Sequence, residues 1–151
     1  MVAAALVLLA QGQLATPAPM PELNLKDLQG KTWRKEGLER DRVYLVEFWA
    51  TWCTTCRAIH PEVQKFVKSQ AEAKFTYLAV SVDDDLGALR KWAKAEQPAY
   101  PVLMDPDFAA MERWKVKEVP SLFFVLNGKV LWRHTGSLKS ADLNSALAKI
   151  K

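Results

Sequence analysis

The stretch Val43–Pro61, VYLVEFWATWCTTCRAIHP, decides how the rest of the chain is read. It opens on a nearly unbroken apolar run, Val43 to Trp49, whose one charged member is Glu47. β-Branched and aromatic residues bounded by a polar turn predict a strand buried on both faces. Beyond Cys53, apolar residues at Ile59, Val63, Phe66 and Val67 follow helical spacing and predict a helix ending near residues 69–73. Both cysteines of the chain, Cys53 and Cys56, fall at this strand-to-helix junction.

Two intervening residues place Cys53 at the helix start and Cys56 one turn in. The first sulfur then faces unsatisfied N–H groups and the positive end of the helix, which stabilise a thiolate. A thiol with pKa about 8.5 is about 3% ionised at pH 7, and one with pKa about 7 is half ionised, a gain of roughly 16-fold. Cys53 is therefore the candidate nucleophile, and Cys56 the thiol that attacks a resulting mixed disulfide. The other readings of the pair are two buried free cysteines, half of a zinc site, or a Cu(I) metallochaperone site built from Cys53, Cys56 and His60. Zinc usually takes four ligands, and His60 and His134 are the only histidines. Haem attachment would need a histidine where Arg57 stands. Glu47 is the second informative residue. A carboxylate in a doubly covered strand is costly when charged, so its pKa should rise into a range useful for proton transfer. It precedes Cys53 on a strand that runs into the cysteine turn, where it could take the proton of Cys56. The plainer alternative is a strand-end carboxylate that reaches solvent.

Working outward, 151 residues with 50% hydrophobic and 25% charged residues fit one domain with a substantial core. The net charge of +4 is spread among acids along the chain, without the basic stripe of a nucleic-acid binder. Two cysteines cannot form a multi-bridge scaffold. The N-terminus is compositionally separate: no charge precedes Glu22, and Val2–Ala10 is apolar. That run is short of the ~20 residues that span a bilayer. It matches the apolar middle of an export signal, with Ala10-Gln11-Gly12 as a small-x-small cleavage site, though no basic residue precedes it. Residues 1–21 are accordingly expected to be a signal or anchor remnant and linker, with TPAPMP at 16–21 extended, and residues 22–151 to be the domain.

Within that domain, residues 23–33 suggest a small hairpin, and Phe75–Val82 a second buried strand parallel to the first. Asp83-Asp84-Asp85 reads as a helix cap ahead of a helix over 86–96 that buries Leu89, Trp92 and Ala93. A short strand at Val102–Met104 and a short helix over 107–114, with Phe108, Met111 and Trp114 on one side, come next. Ser121–Leu126 and Lys129–Thr135 flank Asn127-Gly128, a strong hairpin signal. Ser140 is expected to cap a last helix whose Leu143, Leu147 and Ile150 share a face. These elements make an α/β domain with a mixed sheet.

FWATWCTTC, Pro61 shortly after it, Val119-Pro120 before an apolar strand and the Asn127-Gly128 hairpin together closely resemble the thioredoxin fold over about residues 22–151. The N-terminal β-hairpin at 23–33 and the helix–strand insertion between Asp83 and Asp105 are similar to the TlpA/ResA-type branch. That branch comprises exported or membrane-anchored thioredoxins, including those of cytochrome c maturation. The resemblance implies a central mixed β-sheet flanked by helices, and a cis Pro120 lying against the cysteines and helping to keep metal off them. It implies that the backbone of Val119 pairs with an extended substrate segment, that Trp52, Thr54 and Thr55 belong to the substrate-facing surface, and that Trp49 packs. It implies a thiol–disulfide oxidoreductase, a reductant of protein disulfides outside the cytoplasm. Such a protein would use no metal and no cofactor beyond a redox-active Cys53–Cys56 disulfide. Its partners would be protein dithiol or disulfide substrates and a membrane or thioredoxin-type electron donor, with no nucleic acid, and it would be a monomer.

Two departures stand out. Thr54-Thr55 is neither the Gly-Pro pair of general thioredoxins nor the Pro-His pair of the strong periplasmic oxidant, so the potential is open over a span of ~150 mV, about 7 kcal/mol for two electrons. The lysine that cytosolic thioredoxins carry on the neighbouring strand is absent, and its place falls near Ala79. Proton handling then rests on Glu47. His60 and His134 read as ordinary surface or boundary residues.

Overall fold

The computed structural model describes residues 13–151. In chain order its elements are β1 (Ala18–Pro19), β2 (Asn24–Lys26), β3 (Thr32–Arg34), a 3-10 turn (Lys35–Gly37), β4 (Val43–Trp49), α1 (Thr54–Ser69) and β5 (Phe75–Ser81). They continue with α2 (Leu86–Glu96), β6 (Val102–Met104), α3 (Ala109–Arg113), β7 (Ser121–Leu126), β8 (Lys129–Thr135) and α4 (Ser140–Ile150).

β4 is buried at every position, as its apolar run requires, and lies inside a six-stranded sheet of order β1-β8-β7-β4-β5-β6. It pairs in parallel with β5 and antiparallel with β7, so the helical crossover builds one half of the sheet and the hairpin the other. The hairpin turns on Asn127 and Gly128, both at positive φ (49° and 74°), a backbone that this residue pair adopts readily. The separate β2–β3 hairpin leans on the far edge, where Asp27 bridges to Leu103 of β6. The core fills both sides of β4 and β7: Phe48, Trp114 and Phe123 form one aromatic cluster, and Phe66 packs on Phe75 and Phe124 in another. α1 buries Cys56, Ile59, Val63 and Phe66, most of the stripe its spacing predicts, with Val67 half-buried.

Several expectations are corrected. The segment 16–21 is extended but belongs to the folded body: Ala18–Pro19 pairs with β8, and Leu14 and Met20 are buried. The apolar run Val2–Ala10, expected to be a signal or anchor remnant, lies outside the described residues. Of the acidic triplet only Asp85 caps α2, accepting from Ala88 N–H, whereas Asp83 is buried and turned toward the cysteine loop. Trp92 and Ala93 are half-buried rather than covered, because α2 lies over the rim of the sheet. Phe108 sits before α3 in a left-handed conformation and is 44% exposed, so it does not share the buried side of Trp114. At α4 the cap position is Lys139, whose N–H is taken by Asp142; Ser140 is the first helical residue and gives its N–H to Glu62 of α1. The differences at Asp83 and Ser140 share a cause: a side chain or N–H found a partner distant in sequence, Thr51 in one case and Glu62 in the other.

Candidate active site

The end of β4 delivers residues 50–53 to the start of α1, and several bonds hold this loop. Cys53 N–H donates to Ala50 O at 3.2 Å, and Arg57 reaches back to Thr51 O at 3.0 Å. Asp83, at the end of the adjoining strand, accepts the backbone N–H and the hydroxyl of Thr51.

Cys53 occupies the N-cap of α1, and its sulfur accepts the Cys56 N–H at 3.2 Å. A free N–H of the first helical turn therefore points at this sulfur, the arrangement that favours a thiolate. Cys53 and Cys56 are joined in a disulfide with Cα atoms 5.2 Å apart, and both side chains are buried. The Val119–Pro120 peptide is cis, as the family resemblance implies, and Val119 O lies 3.5 Å from Cys53 Sγ. Pro120 is buried, with its carbonyl held by Gly136 N–H at 2.9 Å, while Val119 is half-buried. Around this face Trp52 is 63% exposed, Thr54 is exposed and Thr55 half-buried.

The opposite face of the disulfide belongs to Cys56. A cleft of about 240 Å³ is lined there by Trp49, Cys56, Arg57, His60, Trp92 and Glu96. Behind it lies a hollow of about 10 Å³, on the scale of one water position, whose wall includes Glu47, Cys56, His60, Tyr77 and Tyr100. Trp49 packs, as expected, with its ring 4.5 Å from that of Trp92, although its buried Nε1 has no hydrogen-bond partner among the described residues.

Glu47 is 3% exposed, so it does not reach solvent at the strand end. Its carboxylate accepts the Tyr77 hydroxyl. Burial pushes the Glu47 carboxyl up from 4.5 to about 7, against the pull of the Tyr77 hydrogen bond. The same burial, with the neighbouring carboxylate, holds the Tyr77 hydroxyl well above its usual value. Ala79 pairs directly with Glu47 across β4 and β5, in the place where a lysine would have stood.

Cys53, Cys56, Val119 and Pro120 are thus brought together, Glu47 meets Cys56 through the hollow, and Trp52 and Thr54 form the exposed rim. Sequence reasoning left out Tyr77, Tyr100, Trp92 and the position of His60. His60 had a signal: it follows Cys56 by four residues and so shares its helical face. Tyr77 had a weaker one, since a buried tyrosine hydroxyl needs a partner, but the partner depends on register across two strands. His134 is engaged elsewhere, with Ser137 O at 2.8 Å and stacked on Trp132. Among the described residues no group of three or more His, Cys, Asp and Glu side chains is placed to hold a metal ion, so Cys53, Cys56 and His60 do not form such a group.

Comparison with known proteins agrees with this geometry. The AhpC/TSA family profile matches residues 17–133. The thiol:disulfide interchange protein DsbE of Haemophilus influenzae is 30% identical over 135 residues, covering 87% of this chain and 72% of that protein. Thioredoxin M4 of Arabidopsis thaliana is 34% identical over 88 residues, 58% of this chain and 44% of its own length. This chain spans less than half the length of the first three curated relatives it matches (44%, 31% and 39%). Among solved structures, a putative thiol:disulfide interchange protein DsbE from Chlorobium tepidum superposes with a TM-score of 0.78 at 26% identity, over 91% of this chain and 98% of that one. The mixed sheet, its flanking helices and the cysteine turn are those of a thioredoxin fold, and the chain belongs to the AhpC/TSA family, with relatives among the DsbE thiol:disulfide interchange proteins.

Proposed function

We propose that this protein is a thiol–disulfide oxidoreductase that reduces protein disulfides outside the cytoplasm. The observation that carries the reading is the Cys53 sulfur at the helix N-cap, bonded to Cys56 and accepting its N–H. In the dithiol form Cys53, as thiolate, attacks a substrate disulfide; the Cys53–substrate bond forms and one substrate thiolate leaves. Cys56 then loses its proton to Glu47 and attacks Cys53 Sγ, closing the intramolecular disulfide and expelling the second substrate thiolate. The substrate gains two electrons and the cysteine pair loses them, to be restored by a dithiol donor such as a membrane or thioredoxin-type carrier.

Glu47 suits the second step because a carboxyl with pKa about 7 is half ionised at neutral pH, able both to take and to return a proton. Val119 and Pro120, beside Cys53, would align an extended substrate segment, and Trp52 with Thr54 and Thr55 would form the surface it meets. The relatives named for thiol:disulfide interchange support the reaction class. The apolar start of the sequence supports export or anchoring, with the folded body that includes Leu14 and β1 as the working domain and cytochrome c maturation as a process for which the family branch is suited.

The deciding measurement is the potential of the Cys53–Cys56 pair against glutathione, together with insulin reduction and trapping by Cys56→Ser. A reductant gives a potential below that of glutathione, turnover of insulin and a stable mixed disulfide on Cys53. Failure to form the intramolecular disulfide, or copper bound at one equivalent in its place, would sink the proposal.

A further inference from the structure

The resolving step leaves a proton on a carboxyl that is 3% exposed, and that proton must reach water before the next cycle. Two hollows adjoin Cys56, and the inner one also adjoins Glu47. The inner one, about 10 Å³, touches Glu47, Trp49, Cys56, His60, Tyr77, Trp92 and Tyr100. The outer cleft, about 240 Å³, touches Trp49, Cys56, Arg57, His60, Trp92 and Glu96. Apart from Cys56, which is consumed in the reaction, His60 is the one ionisable side chain among the described residues that lines both. We propose that His60 is the outlet of the site, carrying the proton released by Cys56 from Glu47 to the water of the outer cleft.

This rests on the assignment of Glu47 above. The chemistry balances without a further reactant. Cys56 S–H gives its proton to the Glu47 carboxylate as the Cys53–Cys56 bond forms; Glu47 gives it to a neutral ring nitrogen of His60; the other nitrogen releases a proton to cleft water. The second substrate thiolate takes up one proton from solvent. His60 thus ends the step neutral but as its other tautomer, which proton exchange with cleft water resets before the next cycle, and it acts through Glu47, not on the sulfurs.

The charged and titratable groups around the ring come from every element packed against it. On α1 they are Cys56 and Arg57, on β4 Glu47, on β5 Tyr77, after α2 Tyr100 with its ring 6.4 Å from that of His60, and on α2 Glu96 at the cleft. Burial lowers the pKa of His60 and the Glu96 carboxylate opposes that shift, so the ring is neutral at pH 7 and able to accept a proton. Tyr77 and Tyr100 both hold their protons far above neutral pH, chiefly through burial, and do not ionise in the cycle.

The test is stopped-flow oxidation of the reduced full chain by a model disulfide whose thiolates stay ionised, with a pH-indicator dye reporting proton release across pH 5–9 in dilute buffer, for wild type, His60→Asn and Glu47→Gln. Release of the Cys56 proton to solvent in His60→Asn should slow by about tenfold at pH 7, less than the ~10²–10⁴ of a direct general base. Added imidazole should restore it, while the redox potential stays that of wild type. A purely structural role would shift the potential or the stability and would not respond to imidazole. Wild-type proton release in His60→Asn, or a slow release that imidazole leaves slow, overturns the relay. The Glu47 variant separates the two readings: a slow Glu47→Gln beside a fast His60→Asn removes only the outlet, and a fast Glu47→Gln removes the acceptor and the outlet together.

Discussion

Thr51 gives both its backbone N–H and its hydroxyl to the carboxylate of Asp83, at 3.0 and 2.5 Å. The Ser81 hydroxyl donates to the same group at 2.7 Å, and Asp83 is 2% exposed. The loop that carries Cys53 is thereby tied to the end of β5, two residues before the nucleophile. Asp83→Ala should strand these donors, at about 1–3 kcal/mol for each one left buried and unpaired. Urea unfolding of the oxidised protein at pH 7 measures the loss. An unchanged midpoint would mean that the carboxylate does not brace the loop.

Glu47 makes stability depend on pH in a defined direction. Its carboxyl is raised from 4.5 to about 7, so between those values the folded protein keeps a proton that the unfolded chain has released. Below pH 4.5 both states are protonated and the group contributes no difference. Stability therefore falls as pH rises from 4.5 to about 7 and is level above, a total of about 3 kcal/mol at about 1.4 kcal/mol per pH unit. Glu47→Gln has no such slope: it should match wild type near pH 5 and exceed it by up to about 3 kcal/mol at pH 8. Denaturant midpoints at the two pH values check this, and parallel curves for the two proteins would contradict the burial assigned to the carboxylate.

Tyr77 provides an independent handle on the same group. Its hydroxyl donates to Glu47 and is what opposes burial, so Tyr77→Phe should move the carboxyl above 7. A hydrogen bond to a charged acceptor is worth about 1.5–3 kcal/mol, or about 1–2 pH units. Carbon-detected NMR titration of Glu47 in the oxidised variant reads the displacement directly. A midpoint that stays at 7 or falls would show that the tyrosine does not stabilise the anion.

How much of this was legible in the sequence follows from where each signal resides. β4, α1 and the cysteine turn could be read because local periodicity and spacing carry them: an apolar run, a 3.6-residue stripe and two residues between Cys53 and Cys56. The Asn127-Gly128 hairpin was equally local. Asp83 reads as a helix cap because an acid before a helix has that ready use; its true partner, Thr51, is far away in sequence and meets it only once β4 and β5 pair. Tyr77 and Glu47 meet for the same reason, diagonally across two parallel strands. His60 reads as a boundary residue because the sequence shows its helical face and not what faces it. The cleft on the Cys56 side owes Trp92 and Glu96 to α2, whose packing over the rim no periodicity specifies. Pro120 is the exception among distant contacts, placed beside Cys53 in advance through the family resemblance alone.

Trp52 offers the sharpest division between gripping a protein and tuning a disulfide. It is 63% exposed beside Cys53, so its loss removes little core and Trp52→Ala should leave stability within about 0.5 kcal/mol. A tryptophan that anchors a protein partner is worth about 2 kcal/mol or more, so kcat/KM for insulin should fall on the order of 30-fold. Oxidised glutathione is too small to need that surface, and its rate of exchange with Cys53 should stay at the wild-type value. Measuring both substrates on one preparation isolates the contact. Equal losses on the two would assign Trp52 to the chemistry of the sulfur rather than to recognition of a polypeptide.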